Sequence, residues 1–104
     1  MDVFEALADP TRREIVSLLA GGERNAGDIA RRFTIAGPSV SRHLRVLRES
    51  GLVNVRRDAQ ARIYSLEGTS LTGARAWMDE QLARLDARFD ALETHLNAMK
   101  GRGD

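Results

Sequence analysis

A chain of 104 residues, 42% of them hydrophobic, has enough apolar material for one compact core and too little length for two ordinary domains. The absence of cysteine excludes disulfides, thiolate metal sites and cysteine nucleophiles. No apolar run is long enough to span a membrane or follows a basic N-terminal segment as in a signal peptide, so a cytoplasmic protein is expected. The formal net charge of +1 conceals an asymmetry: residues 24–62 carry nine arginines against three acids, whereas residues 67–104 carry five basic residues against seven acids. A basic middle joined to a mildly acidic end suits a polyanion-binding head attached to an element that does not bind.

Val3, Phe4 and Leu7 recur at helical spacing. Asp9-Pro10 then supplies an N-cap and a first-turn proline for a second helix, with Ile15, Val16, Leu18 and Leu19 as its apolar stripe and Gly21-Gly22 as its stop. Asn25 caps a third, short helix; Asp28 stands three residues on, and Ile29, Ala30 and Phe33 form the inward side. After the turn Thr34-Ile35-Ala36-Gly37, Pro38 starts a fourth helix that runs to about Ser50 and stops at Gly51. Residues 52–57 and 62–66 have the β-branched and aromatic character of strands and are joined through Asp58-Ala59-Gln60-Ala61. From about Thr69 one long helix continues to about Met99. The expected fold is mainly α with a β-hairpin wing: a winged helix-turn-helix head over residues 1–68, a C-terminal dimerisation helix over 69–100 in the same domain, and a disordered tail over 101–104.

Two short helices separated by a tight turn, the second arginine-rich on one side, form the helix-turn-helix pattern. At about 100° per residue, Val40, Leu44 and Leu47 share one face with His43 at its edge, while Pro38, Ser41, Arg42, Arg45 and Glu49 lie opposite and Ser39 on their flank. The N-terminal part of such a helix meets base edges, which makes Ser39, Ser41 and Arg42 candidate base readers and Arg45 a candidate phosphate contact. The fork of Arg42 suits guanine. His43, beside the apolar stripe, is read as a packed or capping histidine. In the hairpin, Arg56, Arg57 and Arg62 flank the tip, and strand alternation keeps Arg56 and Arg57 from meeting the same phosphates.

The stretches Ala6–Ile15 (ALADPTRREI), Pro38–Arg48 (PSVSRHLRVLR), Gly51–Val53 (GLV) and Arg62–Leu66 (RIYSL), in that order and spacing, resemble the ArsR/SmtB family. The resemblance covers nearly all of the chain to residue 66. It implies a dimeric winged-helix repressor that binds double-stranded operator DNA as an inverted repeat. Ala36 departs from the pattern, because relatives often place there a serine able to cap the recognition helix. Alanine costs about 1 kcal/mol at that position unless Gly37 takes the capping role.

Met78, Leu82, Leu85, Phe89, Leu92, Leu96 and Met99 are spaced 4, 3, 4, 3, 4 and 3 residues apart. A heptad seam this long exceeds what the head can cover, so it is expected to pair with the same helix of a second subunit. The resemblance likewise implies dimerisation through the terminal helices. Metal-sensing relatives use a cysteine pair in the third helix or Asp and His ligands on the last. Here the third helix contains Asp28 but no cysteine, and the last has Asp79, then Gln81, with His95 as its one histidine. Asp86, Asp90, Glu93 and His95 are read as a solvated face, and neither a metal nor another cofactor is expected. With no nucleophile set beside a histidine and an acid, and no glycine-rich phosphate loop, no enzymatic activity is expected. Two other readings use the same residues. A protein-interaction module would bind duplex DNA without salt dependence or not at all, and a small-molecule-sensing repressor of this fold would lose DNA affinity on binding an effector that the sequence does not name.

Overall fold

The computed structural model describes residues 2–102, Arg102 by its backbone alone. Its elements are α1 (Val3–Leu7), α2 (Pro10–Ala20), β1 (Arg24–Asn25), α3 (Ala26–Arg31), α4 (Gly37–Glu49), β2 (Val53–Asp58), β3 (Ala61–Leu66) and α5 (Gly68–Arg102). The chain divides into two units after Ala74.

Each of the first three helices opens on a side chain that accepts one of the amide protons a helix start leaves unpaired. Asp2 Oδ1 accepts from Glu5 N at 2.8 Å, Asp9 Oδ2 from Arg12 N at 3.0 Å, and Asn25 Oδ1 from Asp28 N at 2.8 Å. At α4 the N-cap is Ala36, in extended conformation and with no side-chain bond to offer. Gly37 already lies inside the helix, so α4 begins one residue before the expected Pro38.

The end of α4 explains Gly51. Its N–H bonds to Arg48 O at 3.1 Å, and Leu52 N–H reaches back to Leu47 O at 2.9 Å. This pair of bonds requires a left-handed residue between helix and strand, and Gly51 has φ +80°. Leu47 and Leu52, which flank the closure, are both fully buried. A Cβ at position 51 would stand 3.1 Å from Ser70 Oγ, whose hydroxyl donates to Gly51 O at 2.9 Å. Gly51→Ala is therefore expected to destabilise the first unit by about 1–2 kcal/mol through the left-handed backbone alone, read as a lower midpoint in urea unfolding.

The sheet has three strands in the order β1-β3-β2, all antiparallel. The expected hairpin is present, shifted to 53–58 and 61–66, with Ala59 at φ 55° in its tip. The additional strand pairs Arg24 with Tyr64 and Asn25 with Ile63. Two residues are too few for a period-2 pattern to register, and Asn25 also serves as a helix cap.

Ile15 and Leu19 of α2, Ile29 of α3, and Val40, Leu44 and Leu47 of α4 close on Leu52, Val53 and Tyr64, with Ala6 of α1 fully buried beneath them. Phe4, which spacing grouped with Val3 and Leu7, is 46% exposed. Two neighbouring arginines fasten α1 to α2: Arg12 donates through Nε to Ala6 O at 2.6 Å and through Nη2 to Glu5 O at 3.1 Å, and Arg13 Nη1 donates to Leu7 O and Ala8 O. These bonds satisfy carbonyls that the end of α1 leaves open. At the start of α5, Glu67 accepts from Thr69 N at 3.1 Å, Thr69 Oγ1 at 2.8 Å and Asn54 Nδ2 at 3.0 Å. The Thr69 backbone bond, followed by the two side-chain bonds, holds the Glu67 carboxyl below its ordinary range.

The second unit, from Arg75 onward, is the remainder of α5. Arg75 and Arg84 pair with Asp79 and Glu80 one helical turn away, at 3.7 and 2.9 Å. The helix continues through Gly101 and Arg102, the first two residues of the segment expected as a tail; Gly103 and Asp104 lie outside the described residues.

Candidate nucleic-acid interface

Helix α4 buries Val40, Leu44 and Leu47 and exposes Pro38, Ser41, Arg42 and Arg45, with Ser39 half-buried on the flank. The same outward stripe carries a residue that motif position alone did not single out. Arg48 is exposed, and the spacing 41, 45, 48 aligns it with Ser41 and Arg45. With Leu44, Arg62 and Tyr64 these three line a hollow of about 140 Å³ between α4 and β3. Arg48 and Arg62 also border an adjoining hollow with Val55, Arg56 and Arg57.

Strand register sorts the wing arginines. Val53 stands opposite Leu66, Val55 opposite Tyr64, and Arg57 opposite Arg62, so by alternation these six share one face. Val53 and Tyr64 are buried, which makes this the core side, and Arg57 and Arg62 continue it past the edge of the core. Two like charges directly across a strand pair repel, an arrangement that a bound anion relieves. Arg56 takes the other face. Its Nη2 donates to Glu23 Oε1 at 2.5 Å and its Nη1 lies 4.0 Å from Asp58 Oδ2. Of the three expected wing contacts, Arg56 is thus engaged with acids of its own chain.

Of the nine arginines between residues 24 and 62, Arg31 pairs with Asp28 and Arg56 with Glu23 and Asp58. Among the described residues no acid lies within ion-pairing distance of the other seven. Five of these, Arg42, Arg45, Arg48, Arg57 and Arg62, sit on α4, β2 and β3. Among the described residues these five arginines have no ion-pair partner, and Glu49 is the one acid on the outward stripe of α4, so the face suits phosphate.

His43 is turned inward, its side chain 19% exposed, with Nδ1 3.8 Å from Asp9 Oδ2 and 3.4 Å from Arg12 Nη1. This cluster ties α4 to the start of α2. The Asp9 carboxyl is held below its ordinary 3.8, first by the Arg12 backbone N–H and then by the charges of His43 and Arg12, partly opposed by burial. A carboxyl depressed by folding contributes stability that is full above its unfolded pKa and is lost as pH falls through the folded value. Asp9→Ala is expected to cost about 1 kcal/mol at neutral pH. The gap to the parent in thermal melts should narrow as pH falls below 3.8, and a gap that stays constant from neutral pH to the acid limit would refute the assignment.

Among the described residues no three His, Asp or Glu side chains are grouped to hold a metal ion, and no helix is long and apolar enough to cross a membrane.

Known proteins share both the sequence and the fold of this head. Residues 9–55 match the family described as bacterial regulatory protein, arsR family. The chain is 46% identical over 77 residues to the transcriptional repressor SdpR of Bacillus subtilis, covering 74% of this chain and 86% of that protein. Among solved structures it resembles an ArsR family transcriptional regulator at 32% identity and a TM-score of 0.74, covering 80% of this chain and 86% of that one. A second, a possible transcriptional regulator for arsenical resistance, is 41% identical with a TM-score of 0.72, covering 84% and 95%.

Proposed function

Because the chain belongs to the ArsR family of bacterial DNA-binding regulators, we propose that it acts in the cytoplasm as a homodimeric repressor of transcription at an inverted-repeat operator. The observation that carries the reading is the set of five arginines on α4 and the wing without an acid partner among the described residues. Each protomer sets the N-terminal part of α4 in the major groove. Arg42, Ser39 and Ser41 meet base edges, Pro38 packs at the mouth of the groove, and Arg45, Arg57 and Arg62 meet phosphates. The seam from Met78 to Met99 joins the protomers. Repression follows from occupancy of the operator, in keeping with the repressor name of the Bacillus relative.

The test is fluorescence anisotropy on duplexes selected from genomic fragments, run across a salt series. Roughly six to ten phosphate contacts by the dimer predict an affinity loss of roughly 10³–10⁵ between about 50 and 200 mM salt. Binding that ignores salt, or no duplex binding at all, would assign the basic face to a protein partner instead.

A further inference from the structure

Arg48 and Arg62 border both of the hollows between the second half of α4 and the wing. One comes from α4 and the other from β3, so two cations approach one space from separate elements. Neither has an ion-pair partner among the described residues, and Glu49 and Asp58, acids close to them in sequence, line neither hollow. Like charges held together without a counter-charge cost free energy, which a bound anion recovers. Tyr64 narrows the kind of anion. It lies two positions beyond Arg62 on the same face of β3 and lines the hollow of about 140 Å³. The residue belongs to the core and is 6% exposed, yet its hydroxyl makes no hydrogen bond among the described residues. A tyrosine set this deep ordinarily finds a partner for its hydroxyl. Here the hydroxyl is not sealed off from solvent, since no buried side-chain oxygen or nitrogen among the described residues lacks a partner.

A hydroxyl donor without an acceptor, beside two guanidinium groups, is complementary to an oxyanion with several acceptor oxygens, which is the chemistry of phosphate. The space lies between the reading helix and the wing, so the phosphate that fits it is one of the DNA backbone. On the DNA-binding reading above, we infer that α4 and the wing close together on a single backbone phosphate of each half-site, held by Arg48, Arg62 and the Tyr64 hydroxyl. Arg48 and Tyr64 thereby join the contacts of that interface. The shared phosphate also has a positioning role, because Arg48 and Arg42 belong to one rigid helix. Fixing the end of α4 against the backbone sets how deep its N-terminal part enters the groove.

Tyr64→Phe and the Arg48→Ala/Arg62→Ala double variant, checked for folding by thermal melts, are titrated with the selected operator across a salt series. Each phosphate neutralised contributes about 0.9 to the log-log slope. The double variant should therefore lose about two units of slope in a dimer; a loss of about four would mean that the two arginines hold separate phosphates and overturns the inference. Tyr64→Phe should weaken binding about tenfold per half-site at unchanged slope, because a hydroxyl displaces no counterion. Unchanged affinity in that variant overturns the inference as well. Replacing backbone phosphates one at a time by uncharged methylphosphonate then locates the contact. One position per half-site should weaken the parent and have no further effect on the double variant, and the absence of such a position counts against the clamp. Without DNA, millimolar inorganic phosphate should give no saturable heat in calorimetry. Saturation that disappears in the double variant would make the hollow a site for free phosphate and overturn the assignment to backbone. A parent that binds no duplex overturns the DNA-binding reading itself, whereas variants that bind the operator as the parent does overturn the clamp alone.

Discussion

Leu85→Asp is expected to leave the protein monomeric at micromolar concentration and to lower operator affinity roughly a hundredfold or more. Leu85 stands near the middle of the seam and is 45% exposed in the single chain. The substitution therefore removes nothing from the core of the first unit, whose buried residues all precede position 75. In the proposed dimer it would put a carboxylate into an apolar seam, and burying a charge without a partner costs several kcal/mol. The fall in DNA affinity follows from valency, since the second half-site is no longer held at high effective concentration once the first is bound. Sedimentation equilibrium gives the association state, and a thermal melt checks that the first unit still folds as in the parent. An unchanged dimer in the variant would move the interface away from the seam.

Residues with a local geometric duty made much of this fold legible in the sequence. Asp9, Asn25 and Gly51 each satisfy a helix end by themselves, and each marks its boundary in the structure. The apolar stripe of α4 was legible for a related reason, because helical period alone separates Val40, Leu44 and Leu47 from the arginines. What could not be read depends on distant partners. Strand β1 exists because Arg24 and Asn25 meet Tyr64 and Ile63, nearly forty positions away. Alternation did show that Arg56 and Arg57 point apart, but their division of labour needed the register with β3 and the contact of Arg56 with Glu23. Arg48 is a different case. Its spacing from Ser41 and Arg45 was visible, but motif position favours the N-terminal half of α4, and only the approach of β3 brings Arg62 to the same hollow. The seam lies between these cases, since its stripe is local while the surface proposed to cover it belongs to another chain.

Arg42→Ala and Arg45→Ala should fail in different ways, although the two side chains are one turn apart on one exposed stripe. Arg42 is nearer the helix N-terminus, where base edges are within reach. Its removal should cost roughly 1–3 kcal/mol per half-site and relax the preference at one base position. Arg45, with the Arg48–Arg62 hollow beside it, is the side chain proposed to meet phosphate. Arg45→Ala should weaken binding to every sequence alike and reduce the log-log salt slope by about one for each phosphate it no longer neutralises, hence by about two for a dimer. Arg56→Ala supplies the control. Its guanidinium already has Glu23 and Asp58 as partners, so removing it should change the slope far less than removing Arg45. The measurement is fluorescence anisotropy over a salt series on a selected operator and a scrambled duplex, for the parent and the three variants. Equal weakening of both duplexes by Arg42→Ala would refute its base-reading role. A weakening by Arg56→Ala as large as that from Arg45→Ala would show that the Glu23 contact yields to DNA. If no variant alters binding, α4 is not the reading element, and the arginines on its face serve a partner other than DNA.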